Sequence, residues 1–241
     1  MSQDRIRKEH DMYERMLEYE RLALHQGYVV LAGIDEAGRG PLAGPVVAAA
    51  CILDPERSIY GLNDSKKLTP SSRTRLYHQI VEFALDWQVG IIGPKIIDEI
   101  NILQATCQAM RQAIHKLALK PDLLLIDAVR LSETDMPVWP IIRGDALSVS
   151  IAAASILAKV TRDKIMDDYH EQYPEYGFLQ HKGYGTEAHY TALSQFGPCP
   201  IHRRTFLRSI LEPDAKNQSK KKTIPGADVR QISLFAENDP L

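Results

Sequence analysis

Cysteine is scarce in this chain. Cys51, Cys107 and Cys199 are scattered over 241 residues, and none sits in a Cys-x-x-Cys. Such a set makes neither a disulfide framework nor a zinc site, and it points to a reducing cytoplasm. Cys51 in an apolar run and Cys107 in a helical pattern read as small hydrophobes rather than catalytic thiols. Long apolar runs are missing too: nothing approaches the ~20 residues of a membrane helix. Met1 to Glu20 alternates charges without an apolar core, unlike a signal peptide. Nor is there a surplus of either charge, since 29 Lys and Arg face 31 Asp and Glu, a formal net charge of −2. That excludes a protein gripping nucleic acid by bulk charge alone, though not one with a local basic face.

What is there is an ordinary globule, 44% hydrophobic and 25% charged. Its length suits one or two domains and buries roughly 70% of the unfolded surface. Residues 1–27 carry five basic and six acidic side chains, with Ile6, Met12, Met16 and Leu17 near helical spacing. They read as one exposed N-terminal helix with a narrow packing stripe, ending near Gly27. Tyr28–Ile34 and Val46–Leu53 form β-rich runs around a Gly/Pro-rich turn, a plausible hairpin. Asp64–Leu68 reads as a loop and Ser71–Leu85 as a helix. Trp87–Ile92 reads as a strand, followed by one helix from Pro94 to about Leu119. Leu123–Ile126 is a wholly apolar run, the mark of a strand buried on both faces. Val138–Ile142 is similar, and Pro140 assigns it to an edge. Ile151–Tyr169 returns to helix. Three early strands followed by strand–helix alternation give an α/β protein with a mixed sheet and helices on its faces. Residues 28–213 read as one folded domain. From 214 to 241 nearly all residues are polar, charged, Gly or Pro until Ile232, the composition of a disordered tail.

The most informative segment is Gly33-Ile34-Asp35-Glu36-Ala37-Gly38-Arg39-Gly40. Gly33 and Gly38 have phosphate-loop spacing, but Arg39-Gly40 follow where Lys and Ser/Thr belong. A dinucleotide fingerprint fails at Asp35, and the acidic pair repels phosphate. Two carboxylates at a strand end remain, either a solvated turn or hard ligands for Mg²⁺ or Mn²⁺. Strand neighbours point to opposite faces, so both reach one site only if the strand end twists. Asp127 ends the apolar run 123–126, where α/β proteins place ligands. Asp145 follows the next strand in Arg143-Gly144-Asp145, as a ligand or a helix cap. Asp163, between Arg162 and Lys164, reads first as a surface charge. Clustered anions stay ionised only beside cations, and with phosphodiester substrates such sites often hold two metals about 4 Å apart. Phe178–Arg208 sets Lys182, Arg203, Arg204 and Arg208 against one acid, Glu187. Tyr184, Tyr190, Phe196 and Phe206 are interleaved with them, and so are His181, His189 and His202. The mixture suits phosphates and bases, or a helix packing its rings inward and solvating its charges.

These segments together resemble bacterial ribonuclease HII. The resemblance rests on Gly33 to Val46, Asp64-Ser65-Lys66-Lys67-Leu68, the Asp127 strand and Arg143-Gly144-Asp145. Ser150 to Asp163 and His181-Lys182-Gly183-Tyr184-Gly185-Thr186 complete it. It spans about residues 28–210 in order. It implies a ribonuclease H-like fold, a mixed five-stranded sheet flanked by helices with a C-terminal helical extension. It also implies an endonuclease that cuts the RNA strand of RNA–DNA hybrids and nicks duplex DNA 5′ of an embedded ribonucleotide. The products carry a 5′-phosphate and a 3′-hydroxyl. Position by position, Asp35, Glu36, Asp127 and Asp145 match the metal-binding carboxylates, with Asp163 the second choice for the fourth. The implied cofactor is Mn²⁺ or Mg²⁺, two ions during catalysis. Gly38, Arg39 and Gly40 match the turn that reads the ribonucleotide 2′-OH, and Tyr184 the ring that stacks on the next deoxyribose. Lys66, Lys67, Lys182 and Ser155 are expected phosphate contacts. In the tail, Gln231, Leu234 and Phe235 resemble a sliding-clamp docking peptide. The expected partners are RNA–DNA hybrid, ribonucleotide-containing duplex DNA and, through the tail, a sliding clamp. The chain reads as a cytoplasmic monomer without membrane contact. The alternatives are another metal-dependent nuclease of the same fold, or a nucleic-acid-binding protein that has lost catalysis.

Overall fold

The computed structural model describes residues 3–211, without the side chains of residues 5, 6 and 209–211. The stretch 214–241, with Gln231, Leu234 and Phe235, lies outside the described residues.

In chain order the elements are α1 (Gln3–Met16), α2 (Glu18–His25), β1 (Leu31–Ala37), β2 (Val46–Ile52), α3 (Pro70–Phe83) and β3 (Asp86–Ile92). There follow α4 (Pro94–Ile100), α5 (Ile102–Lys116), β4 (Leu123–Asp127), β5 (Val138–Ile141), α6 (Val149–Gln172), α7 (Phe178–His181), α8 (Glu187–Phe196) and α9 (Arg204–Leu211). The strands form one sheet of five in the order β3-β2-β1-β4-β5. β1, β2 and β3 pair antiparallel, while β4 and β5 run parallel to β1 and to each other. This is the mixed sheet expected, with β5 and its Pro140 at an edge, where a missing N–H costs least.

Side-chain alternation divides the core between the two faces of the sheet. Ala32, Ile34, Ala48 and Ala50 pack with Ala105, Ala109 and Met110 of α5. Val47, Ala49 and Cys51 face Ala152, Ala153 and Ile156 of α6, with Leu76 and Ile80 of α3 beyond. The alanines of β2 leave room for a helix on each side. Among the described residues no helix is long and apolar enough to cross a membrane.

Several boundaries differ from those read in the sequence. The first strand starts three residues later and reaches Ala37, because β2 offers partners as far as Val47. The expected single helix from Pro94 divides at Asn101, whose φ of 68° breaks it. The Asn101 side chain then accepts from Leu103 and Gln104 N–H, capping α5. The expected single N-terminal helix divides at Leu17, and its packing stripe is wider than expected. Tyr13, Met16 and Ala23 are buried, as is the carboxylate of Glu20. Glu20 Oε1 accepts from Ser148 Oγ (2.6 Å) and Ser150 N–H (3.0 Å). Ser148 Oγ accepts in turn from Ile151 N–H, so a residue from α2 completes the cap of α6.

Candidate metal centre and nucleic-acid interface

Three loops converge at the carboxyl ends of β1 and β4. In β1, Gly33 and Asp35 share the face turned to α6. β1 and β4 run in parallel register with Ile34 opposite Ile126, so Asp35 and Asp127 come next, side by side. β5 then delivers the third acid. After it, Arg143 turns left-handed (φ 59°) into a short 3₁₀ turn at Gly144–Ala146 carrying Asp145. Asp127 Oδ1 accepts from Gly144 N–H at 2.7 Å, which ties the two acids together.

One carboxylate oxygen each from Asp35, Asp127 and Asp145 lies within 4.8 Å of the others. Three such groups out of water are costly as anions. Burial pushes the Asp35 carboxyl well above the usual carboxylate range, and the charges of Glu36 and Asp127 add to it. Burial also raises Asp127, against the pull of the Gly144 N–H, and it raises Asp145, with Asp64 and Asp127 contributing. Glu36 stands outside the trio, as strand alternation requires. Its Oε1 accepts from Arg39 Nη1 (3.2 Å), while its Oε2 is buried without a partner. Burial opposes protonation of Lys66, but the charges of Asp35, Asp64 and Asp145 outweigh it and hold Lys66 above its ordinary value. All the converging ligands are oxygens, one carboxylate oxygen lacks a donor, and all three acids of the trio resist ionisation. That donor set fits a hard divalent cation such as Mg²⁺ or Mn²⁺.

Beside this trio, Gly38 turns at φ +97° and Arg39 and Gly40 are exposed. A Cβ on Gly38 would meet Arg162 Nε at 2.2 Å and Pro45 O at 2.7 Å. Tyr184 is 43% exposed, and its Cε1 lies 3.8 Å from where a Cβ on Gly40 would stand. Ring and turn therefore share one surface.

Of the other expected positions, Ser155 stands against the Asp35 carboxylate, and the rest lie outside the trio. Asp163 is outside the trio: its Oδ1 accepts from Lys159 Nζ (2.7 Å), and Arg73 lies at 3.9 Å. Lys182 Nζ donates to Asp167. Lys67 Nζ is 3.8 Å from Asp64. Ser155 is buried, with its Oγ donating to Ser65 Oγ at 2.9 Å. Arg203, assigned to a solvent-facing basic stretch by sequence, is wholly buried, as is Arg162. Asp64 reads as a loop residue in the sequence, yet it faces Asp145. Its sequence signal is its place at the head of Asp64-Ser65-Lys66-Lys67-Leu68, two residues before Lys66.

Comparison with known proteins identifies the family. The family model described as Ribonuclease HII matches residues 32–209. The chain is similar to Ribonuclease HII of Ruminiclostridium cellulolyticum, 51% identical over 212 residues, covering 86% of this chain and 83% of that protein. Among solved structures it is similar to the ribonuclease H2 of Pyrococcus horikoshii OT3, with a TM-score of 0.63 and 31% identity over 73% of this chain and 93% of that one. It is also similar to a chain of the PCNA:RNase HII complex from Archaeoglobus fulgidus, with a TM-score of 0.62 and 26% identity over 81% of this chain and 98% of that one.

Proposed function

This chain belongs to the ribonuclease HII family and is a ribonuclease H-type hydrolase acting on RNA–DNA hybrids, and from that premise we propose that it also nicks duplex DNA 5′ of an embedded ribonucleotide. The observation that carries the reading is the carboxylate trio beside an exposed glycine turn and an exposed tyrosine ring. Asp35, Asp127 and Asp145, with Glu36 beside them, would hold Mg²⁺ or Mn²⁺, two ions in the working enzyme. When bound, these ions supply charge stabilisation at the phosphoryl oxygens and a more acidic water. The turn at Gly38, Arg39 and Gly40 binds the ribose, because a 2′-OH is what separates RNA from DNA at one nucleotide. Tyr184 offers a flat face to the following sugar, and Lys66, drawn to three acids, orients the phosphate.

Three labelled duplexes test this with Mg²⁺, with Mn²⁺ and with chelator: one ribonucleotide in DNA, a long RNA–DNA hybrid, and all DNA. The expected result is cleavage of the first two, with 5′-phosphate and 3′-hydroxyl ends, and none with chelator. Cutting of the all-DNA duplex at a similar rate would identify a general nuclease of this fold instead. No cutting of any duplex would identify a binding protein.

The partner reading extends to the tail. The Archaeoglobus relative is seen with PCNA, and Gln231-Ile232-Ser233-Leu234-Phe235 is an apolar cluster led by a glutamine in a largely polar stretch. A peptide spanning residues 226–241 is expected to bind a bacterial sliding clamp about tenfold or more tightly than its Leu234→Ala, Phe235→Ala version, since two buried apolar anchors carry several kcal/mol. Equal titrations for both peptides would remove this partner.

A further inference from the structure

Two fully buried guanidinium groups lie behind the glycine turn, and neither forms an ion pair with a carboxylate among the described residues. Arg203 Nε donates to Gly44 O (3.0 Å), and its Nη1 to Arg39 O (3.1 Å). Its Nη2 donates to Gly38 O (2.6 Å) and to Pro45 O (3.1 Å). Arg162 Nε donates to Pro45 O (3.0 Å), Nη2 to Ala43 O (3.1 Å) and Nη1 to Lys182 O (3.0 Å). All seven bonds end on main-chain carbonyls of residues 38–45 and Lys182. The fork is thus spent on shaping backbone, and a rigid five-donor group suits that use where an ammonium does not.

The consequence follows from the planar trans peptide, in which the C=O of one residue and the N–H of the next point in opposite directions. Arg203 takes the carbonyls of Gly38 and Arg39. It thereby turns the N–H groups of Arg39 and Gly40 the other way, out to the exposed side of the turn. Neither N–H has a hydrogen-bond partner among the described residues. Two successive outward N–H donors form a concavity for an oxygen-rich ligand. Arg162 links this turn to the segment behind Tyr184. It holds Lys182 O, and its guanidinium carbon lies 5.9 Å from the Tyr184 ring centroid.

We propose that Arg203 and Arg162 are positioning residues that lock the turn and the Tyr184 segment into one preformed ribose reader. They aim the Arg39 and Gly40 N–H groups at the 2′-hydroxyl and adjoining phosphodiester of the substrate. The proposal rests on the ribonucleotide-nicking reading above. It assigns selectivity to two side chains that do not touch substrate.

Arg203→Lys tests it, because that change keeps the charge and removes the fork. The variant is read on duplex DNA with one ribonucleotide, with folding checked by thermal melting and near-ultraviolet circular dichroism. We expect kcat/KM to fall by about 10- to 100-fold, the scale of a misplaced contact, with the loss carried mainly by KM. A folded variant with wild-type KM overturns the proposal, and so does a loss confined to kcat. A second measurement needs no variant. In the wild-type protein under chelator, amide exchange at Arg39 and Gly40 should slow when the ribonucleotide duplex is added, and slow less with the all-DNA duplex. Exchange unchanged at both amides overturns the proposal even if Arg203→Lys does not fold. Wild-type protein that cuts no ribonucleotide duplex would overturn the parent reading instead, so the two failures are distinct.

Discussion

Asp35→Asn is expected to lower single-turnover cleavage by on the order of 1,000-fold or more while giving the cation-free protein a melting-temperature advantage that grows as pH rises. The first half follows from position. Asp35 is 5% exposed, sits on the central strand and supplies one oxygen of the trio. Bound cations contribute several kcal/mol of charge stabilisation in such sites, and each 1.36 kcal/mol is about tenfold in rate. The second half follows from linkage. Burial, then Glu36 and Asp127, raises the Asp35 carboxyl above its unfolded value of 3.8. A raised carboxyl gives stability that is complete below that unfolded value and is lost as pH climbs through the folded one. Once pH has climbed past the folded value without cation, wild-type protein has lost that contribution and holds a repelled charge, whereas asparagine holds none. The variant should therefore melt about 2–4 °C higher, the equivalent of 1 kcal/mol in a domain of this size. The gap should close below pH 4 and should shrink or reverse in saturating Mg²⁺, which binds the wild-type carboxylates. Near-wild-type cleavage, or a melting-temperature gap in chelator that does not grow as pH rises, would show that Asp35 does not do this.

Gly33→Ala is expected to abolish the folded state. A Cβ there would lie 2.0 Å from Ser150 C, 2.2 Å from Ser150 O and 2.5 Å from Ile151 N. All three atoms are main chain at the start of α6, so no side-chain rotation relieves the clash. Overpacking against backbone belongs to the exceptional class costing more than about 4 kcal/mol, a large share of the 5–15 kcal/mol a domain has. The same contact is functional. Gly33 lets the first turn of α6 rest on β1, which brings Asp145, four residues before that helix, to Asp35. Any variant that folds by shifting α6 should lose cleavage with its stability. Gly93→Ala is the control. Its Cβ meets nothing within 4 Å, so it should cost less than about 1 kcal/mol, the scale of a helix-cap exchange. Urea titration checks both, and a Gly33→Ala protein as stable as the control would refute the packing argument.

Much of the site was legible because it is local. Asp127 ends an apolar strand and Asp35 stands two residues from the end of another, and a strand end is a property of a few consecutive residues. Asp145 follows β5 after an Arg-Gly turn, also within a short window. The sheet follows from its short apolar runs, and Pro140 marks the edge strand at Val138–Ile141. Helix breaks were less legible. At Leu17 and Asn101 the apolar spacing continues, and one residue's backbone angle or the packing around it decides the interruption.

The sequence by itself determined the strand and helix periods, the carboxylates at strand ends and the motifs shared with ribonuclease HII. Tertiary structure alone decided which charged residues are solvated and which are buried. Lys159 claims Asp163 one helical turn away, which leaves that acid outside the trio. Glu20 lies 128 residues before the serine it holds. Arg203 lies 165 residues after the carbonyl it fixes. A buried arginine and an exposed one are the same letter in the same local pattern. The difference lies in the acceptors that folding brings around it, and these come from parts of the chain that no periodicity connects.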